Sequence, residues 1–299
     1  MAIPVKCTLC GSGNIKIITR HLTGNSKGND FSPTASDFGI FYPLARCKEC
    51  GIIFSVLDDK DAEIRQACAE SKDDTYLSQS AQRILTFKTI LAHIERFIPE
   101  SGRLLDIGCS YGLFLQTAKE AGLQVSGIEI SKDACRHCAE TLGLDVYCGE
   151  IRQAAFPENY FDAITAIEVI EHVNNPGELI SDIYRRLKPG GILYLVTPDV
   201  KSLSGKALGR RWWSYRRMHL CYFSKKTLCG FLRKNNFSII SATPYKKTFK
   251  AEYILRHLLE MDCMRPFRPF LTRLTGISRI SNLLIRASFG DIAITAKKQ

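Results

Sequence analysis

A chain of 299 residues with 45% apolar and 24% charged residues is long enough for one large domain and one small one. It contains no apolar run near the roughly 18 residues a membrane span needs, and its opening, MAIPVKCTLC, lacks a hydrophobic signal segment, which sets the expectation of a cytoplasmic protein. The net charge of +11 is uneven: residues 201–290 hold 19 Lys and Arg against 3 acids, and residues 1–200 hold 20 against 26. The basic part therefore implies an anionic partner, or else a plain solvated face.

Twelve cysteines in such a chain favour metal binding over disulfides. Cys7 and Cys10, then Cys47 and Cys50, form two C-x-x-C-G knuckles. Each spaces two thiolates for one tetrahedral ion, and the following glycine permits the tight turn. The 36 residues between the pairs must fold back. Residues 1–56 are expected to be a zinc ribbon with a closed, structural site. Cys135 and Cys138 repeat the spacing inside a helical pattern without a second pair, so they read as packing residues.

Residues 57–76, acidic and polar, read as a linker, and 77–299 as the main domain. Leu77–Ile98 carries apolar residues at helical spacing and is closed by Pro99. The stretch RLLDIGCSYGLFLQTAKEAGLQVSGIEIS, 103–131, then reads as strand, tight turn, helix, strand. Leu104, Leu105 and Ile107 suit a buried parallel strand. Gly108 and Gly112 bracket a turn that lets a ligand approach bare backbone at a helix N-terminus. Glu129 ends the next strand about 20 residues on, where a carboxylate takes the hydroxyls of a ribose. Asp106 would repel a pyrophosphate but suits a cationic amine and sulfonium. The ligand is expected to contain a nucleoside and to be cationic.

The pattern D-x-G-x-x-x-G, Asp106 to Gly112, resembles the first motif of the class I S-adenosylmethionine-dependent methyltransferases, with Ser110 where that family commonly has its middle glycine. The resemblance implies S-adenosylmethionine as cofactor, with Asp106, Gly108, Cys109, Gly112, Glu129, Ile130 and Ile167 in its site. Glu150, after the third strand DVYCGEI, would accept the adenine amino group, and Ile151 would pack on the ring. Downstream, FDAITAIEVIEHVNNPGELISDIYRRLKPGGILYLVTP is similar throughout to the branch containing the ubiquinone-pathway O-methyltransferases. It supplies fourth strand, helix, the turn Lys188-Pro189-Gly190-Gly191 and fifth strand. Ser224 starts another helix, FSIISATPY is the sixth strand, and DIAITAKK is the antiparallel seventh.

Within that stretch, Glu168, Glu171 and His172 are read as one helical turn whose positions i, i+3 and i+4 share a face. Such a set can hold a divalent metal, or the histidine can act as general base. ExxEH groups in some O-methyltransferases, including RNA 2′-O-methyltransferases, bind a metal with a later histidine, and His219 in RRMHLCYFS is the matching residue here. Residues 246–290, where relatives have a short hairpin, interleave arginines with Phe, Leu and Ile. This insert could cover the acceptor pocket, lie on an anionic membrane or mediate dimerisation. GRRWWSYRR, 209–217, places arginines around Trp212 and Trp213 and suits phosphate clamping and ring stacking.

The expected fold is α/β, a doubly wound seven-stranded Rossmann-like sheet ordered 3-2-1-4-5-7-6, carrying the zinc ribbon. The expected reaction is methyl transfer to a hydroxyl or a sugar carbon of an anionic, phosphate-bearing small molecule. The cysteine module also resembles that of methyltransferases acting on nucleotide-linked sugars. A zinc-ribbon protein serving RNA is the alternative, marked by steeply salt-dependent binding.

Overall fold

Alternating apolar runs and glycine turns become a seven-stranded sheet in the computed structural model of the chain, which describes residues 5–19, 40–57, 61–209, 212–252, 255, 259, 268–275 and 282–299. Its parallel strands are β4 (Arg103–Ile107), β5 (Gln124–Glu129), β6 (Val146–Cys148), β7 (Phe161–Ile167) and β8 (Leu187–Pro198); β10 (Phe237–Pro244) and β13 (Asp291–Lys298) complete it. The order is β10-β13-β8-β7-β4-β5-β6, and β13 runs antiparallel to β8 and β10. This is the expected 3-2-1-4-5-7-6 sheet with a reversed seventh strand. Successive strand residues point to opposite faces. Leu104, Ala163, Ile192 and Tyr194 therefore pack under α3 (Ser80–Ile94), α4 (Leu113–Glu120) and α5 (Lys132–Glu140). Leu105, Ile164, Leu193 and Leu195 pack under α6 (Pro176–Arg186) and α8 (Lys225–Lys234). Both faces are covered, which is why these strands are continuous apolar runs.

Serine caps set two helix starts as the sequence suggests. Ser131 Oγ accepts from Ala134 N at 3.3 Å before α5, and Ser224 Oγ from Thr227 N at 3.2 Å before α8. The segment 57–76, read as a linker, carries α1 (Asp61–Glu70) and α2 (Asp74–Ser78). The opening helix is shorter than its apolar pattern, because Asp73 caps α2 and Gln79 separates it from α3. The Lys188–Gly191 turn is absorbed into β8, whose pairing with β7 slips between Phe161 and Ala163.

A correction concerns Glu168, Glu171 and His172, which do not lie on a helix. β7 stops at Ile167, Glu168 takes the left-handed conformation at φ 59°, and His172 N donates to Val169 O at 2.9 Å within a turn. The helix begins only at Pro176, capped by Asn175, because proline at the first position suits a start there.

A second sheet, ordered β1-β2-β3-β9, joins β1 (Ile15–Ile17), β2 (Leu44–Cys47) and β3 (Ile53–Ser55) to β9 (Cys221–Tyr222), all antiparallel. Cys7, Ala45, Cys47, Ile52 and Phe54 share an apolar cluster with Leu105, Phe223 and Leu228, and Phe223 bridges in parallel to Asp199 beyond β8. In the insert, β11 (Lys247–Lys250) pairs with β12 (Leu284–Ala287), and α9 (Arg268–Thr275) lies between them in sequence. Most of AEYILRHLLEM, the rest of the arginine-rich insert, and Arg210 and Arg211 lie outside the described residues. Among the described residues no helix is long and apolar enough to cross a membrane.

Gly108 is demanded twice over. Its φ is 72°, and an added Cβ would lie 2.5 Å from Val169 Cγ2. Gly108→Ala should destabilise the protein by about 1–3 kcal/mol in urea denaturation. Val169→Ala in the same chain should recover only part of that loss, because the backbone strain stays; full recovery would assign the whole cost to the clash.

Candidate active site

The turn after β4 is shaped by backbone geometry and then pinned by a buried carboxylate. Gly108 N and Cys109 N both donate to Ile128 O, at 2.8 and 3.1 Å. Gly112, at φ 75°, caps α4, and Ser110, in the middle-glycine position, is left-handed at φ 49°. Glu129 Oε2 accepts from Ser110 N at 2.8 Å, and its Oε1 accepts from Ile130 N and Ser131 N, each at 2.8 Å. Burial raises the Glu129 pKa against the pull of those three N–H groups. Asp106 lies under the same turn, and its Oδ1 accepts from Thr165 Oγ1 at 2.6 Å. Burial pushes it up to about 7, the Thr165 bond opposing and the Glu129 charge adding.

The other expected cofactor residues are distributed around this pair. Ile151 is buried and Ile167 packs at the end of β7. Glu150, half-exposed at the end of the third strand, pairs with Arg65 and Arg152, each at 3.5 Å. Cys109 is nearly fully buried, its sulfur where a side chain on Gly127 would sit, so only its backbone faces the turn. The helices of 61–78 cover this half: Ser131 Oγ donates to Ser71 O at 3.0 Å. Tyr111 OH links Asp73 N to Asp133 Oδ2, each at 3.0 Å, and the Arg83 guanidinium stacks 3.9 Å over Tyr76. The polar composition of 57–76 carried no signal for this cover.

On the opposite side of β4, beyond β7, stand the expected catalytic residues, regrouped. Glu168 leaves the set: its Oε1 pairs with Lys247 Nζ, which also lies 3.4 Å from Asp291 Oδ2. Glu171, His172 and His219 come together instead, with one ligand atom of each within 4.8 Å of the others. Glu171 is 1% exposed, and its Oε2 accepts from Thr197 Oγ1 at 2.9 Å. Burial, with the Glu168 charge second, pushes it up to about 8, so it holds its proton at neutral pH. The rings of His172 and His219 meet edge to face at 4.8 Å. His172 Nδ1 lies 2.9 Å from Met218 O, and His219 Nδ1 2.7 Å from Ser214 O. A carbonyl can only accept, so both Nδ1 atoms carry hydrogen and Nε2 is the basic nitrogen of each ring. Burial, then the charges of His172 and Arg216, holds His219 well below the usual range and therefore neutral. Lys247 and Asp291 were missed because nothing local in the insert or the last strand marks them.

The four knuckle cysteines converge. Cys7 Sγ lies 3.6 Å from Cys50 Sγ, and Cys10 Sγ 3.6 Å from Cys47 Sγ, with all four sulfurs within 4.8 Å of one another. A tetrahedral ion bonded at about 2.3 Å separates its sulfurs by about 3.8 Å, so the set fits zinc. Burial holds Cys7 up at about 11, while at Cys47 the N–H groups of Cys50 and Glu49 overcome burial and bring it down to about 7.

Residues 81–242 match the methyltransferase domain family, and the chain belongs to that family, the class I S-adenosylmethionine-dependent methyltransferases. It is 38% identical over 114 residues to the ubiquinone biosynthesis O-methyltransferase of Caulobacter vibrioides, covering 36% of this chain and 44% of that one. The Coxiella burnetii protein of the same name is 33% identical over 113 residues, with 36% and 48% covered. The matched stretch thus spans under half the length of these curated relatives. Among solved structures, an S-adenosylmethionine-dependent methyltransferase from Archaeoglobus fulgidus aligns with TM-score 0.52 and 22% identity, over 76% of this chain and all of that one. A chain from the complex of the Haloferax volcanii Trm112 methyltransferase activator with its methyltransferase aligns with TM-score 0.54 and 17% identity, over 81% and 99%. At these identities the structures establish the fold.

Two outcomes are expected. The purified protein should contain about one zinc per chain by elemental analysis, reduced in Cys47→Ser; a metal-free folded protein would remove the ribbon. Asp106 is raised in the folded state, so the apo protein binds an extra proton between about pH 4 and pH 7. Its stability should fall across that window by up to a few kcal/mol relative to Asp106→Asn, read from denaturation at pH 5 and pH 8. Equal slopes for the two proteins would show that Asp106 is not perturbed.

Proposed function

We propose that the chain transfers the methyl group of S-adenosylmethionine to a hydroxyl of a small anionic acceptor. The observation that carries this reading is the placement of two unlike polar groups on either side of the β4 turn. Glu129 and Asp106 form a carboxylate half suited to a ribose and a cation, and the imidazoles of His172 and His219, with hydrogen on each Nδ1, stand beside Glu171 in the other half. The donor supplies a methyl sulfonium. Glu129 would take the ribose hydroxyls while the turn amides hold its carboxylate still, and the Glu150–Ile151 end of β6 would receive the adenine. Catalysis would rest on aligning acceptor oxygen, methyl carbon and sulfur, with His172 Nε2 taking the hydroxyl proton.

A second reading is favoured by the spacing of the same three residues. Glu171, His172 and His219 would hold a divalent cation, which supplies Lewis acidity to an acceptor oxygen. The carbonyl bonds at both Nδ1 atoms are the orienting contacts that imidazole ligands use.

The anionic acceptor is supported by the cations around this half. Lys247 pairs with Glu168, Arg83 acts on the same carboxylate, and the half-exposed Arg216 acts on His219. We place a phosphate-bearing glycan ahead of an aromatic quinone precursor, because a neutral phenol gains little from such charge.

Calorimetry should show S-adenosylhomocysteine binding, weakened by about 1–3 kcal/mol in Glu129→Ala through lost charged hydrogen bonds. Unchanged affinity would take Glu129 out of the site. On the acceptor side, Mn²⁺ binding followed by electron paramagnetic resonance should disappear in His172→Ala and His219→Ala if the metal reading holds. If wild type takes up no Mn²⁺, His172 acts as the base alone.

A further inference from the structure

We infer that the four-cysteine module is a positioning device for the acceptor half of the site, acting through β9. The module is built from short strands whose sheet is completed by two residues more than 160 positions downstream. Ile53 pairs with Tyr222 and Phe54 with Cys221. Ser55 N donates to Leu220 O at 2.8 Å, and Ser55 Oγ to His219 O at 3.3 Å. The other edge of the same peptide faces the site: Leu220 N and Cys221 N both donate to Glu171 O, at 2.7 and 3.0 Å. Residues 219–221 are thus clamped between β3 and the backbone of Glu171. His219 belongs to the clamped stretch, and Met218 O, one residue before it, sets the ring of His172.

The route back to the cysteines is short. β3 starts three residues after Cys50 and pairs along β2, which ends at Cys47. The knuckle between them is closed by Gly51 N donating to Cys47 O at 3.1 Å and Cys47 N to Ile52 O at 3.0 Å. The first knuckle reaches β9 as well, with Thr8 Oγ1 lying 3.9 Å from Cys221 Sγ. Strands of three and four residues hold no register by themselves, so metal binding by the cysteines supplies the order that β3 passes to β9. The donor turn hangs on β4 and β5, whose register in the large sheet does not run through β3 or β9, although Leu105 shares an apolar cluster with the module.

This inference gives the module a role in acceptor geometry and rests on the reading that His172 and His219 face the acceptor. The test does not use that reading. Hydrogen–deuterium exchange is followed on the zinc-loaded full chain, after chelation and after zinc is returned. Chelation should speed exchange at Leu220 and Cys221 at least tenfold, together with Ala45 and Phe54. Leu105 and Ile128 should stay protected, S-adenosylhomocysteine affinity should change less than twofold, and zinc should reverse the release. Ser55→Pro keeps all four cysteines but removes the N–H that holds Leu220. It should retain zinc, release the same two amides and shift the ring ¹⁵N signals of His219. Release confined to residues 5–57 on chelation, with an unperturbed 214–222 segment in Ser55→Pro, would overturn the inference. Coupled release in a protein that binds no Mn²⁺ would remove the metal reading of the acceptor half and support this one.

Discussion

The carboxylate of Glu129 is the contact on which the donor half depends. Its two oxygens take three backbone N–H groups, from the turn after β4 and from the loop between β5 and α5, while its own carbonyl accepts from Gly149 N at 2.8 Å and Cys135 Sγ at 3.3 Å. One residue therefore ties together three loops at the C-terminal edge of the sheet. A buried carboxylate is costly unless hydrogen-bonded, and here the bonding partners are the loops a nucleoside must meet. On the proposed reading these bonds preorganise the loops for the donor.

The donor half was legible because it is local. Strand, glycine turn, capped helix and acidic strand end lie within residues 103–131, and each has a backbone reason that survives in any tertiary context. The sheet order followed from the same alternation of buried runs and helices. The acceptor half was legible only in part: Glu171, His172 and His219 were named, but their partnership was assigned to the wrong element. Helical spacing at 168–172 describes residues that in fact sit in a turn, and the deciding features are distant. Glu168 is turned toward Lys247, 79 positions away, and Asn175 and Pro176 delay the helix. Nothing periodic marks the two-residue β9, so its membership in the N-terminal sheet has no sequence signature.

Glu168 shows how the two halves are kept electrostatically apart. A non-glycine residue at φ 59° stores roughly 1–3 kcal/mol of strain and needs surroundings that over-determine it. Those surroundings are specific: Glu168 N donates to Val196 O at 2.9 Å, and Lys247 holds its side chain while also facing Asp291. Lys247 and Arg83 keep Glu168 ionised, lowering its pKa against burial. That retained charge then helps keep the proton on Glu171. The result is a charged Glu168–Lys247 pair close to a neutral carboxylic acid, Glu171, which stands next to a neutral His219. With Glu171 protonated, the proton-accepting atoms of the set are the Nε2 atoms of the two histidines, whose Nδ1 atoms face carbonyls.

The contrast between a local donor half and a dispersed acceptor half explains why the resemblance to known methyltransferases is strong over part of the chain. Arg83, Glu171, His219, Lys247 and Asp291 come from α3, the turn after β7, the loop before β9, the insert and the last strand, and Ser55 from the cysteine module bonds the backbone of His219 and Leu220. All five lie outside β4 and β5, and Asp291 starts β13, which lies between β10 and β8. On the proposed reading the acceptor wall is held by contacts between segments, chiefly Lys247 with Glu168 and Ser55 with residues 219–220, rather than by any one motif. Such a wall can be reshaped by insertion while the donor turn stays fixed. The family match over residues 81–242 takes in the donor turn together with Arg83, Glu171 and His219 and ends before Lys247 and Asp291, which leaves the acceptor to be argued from charge.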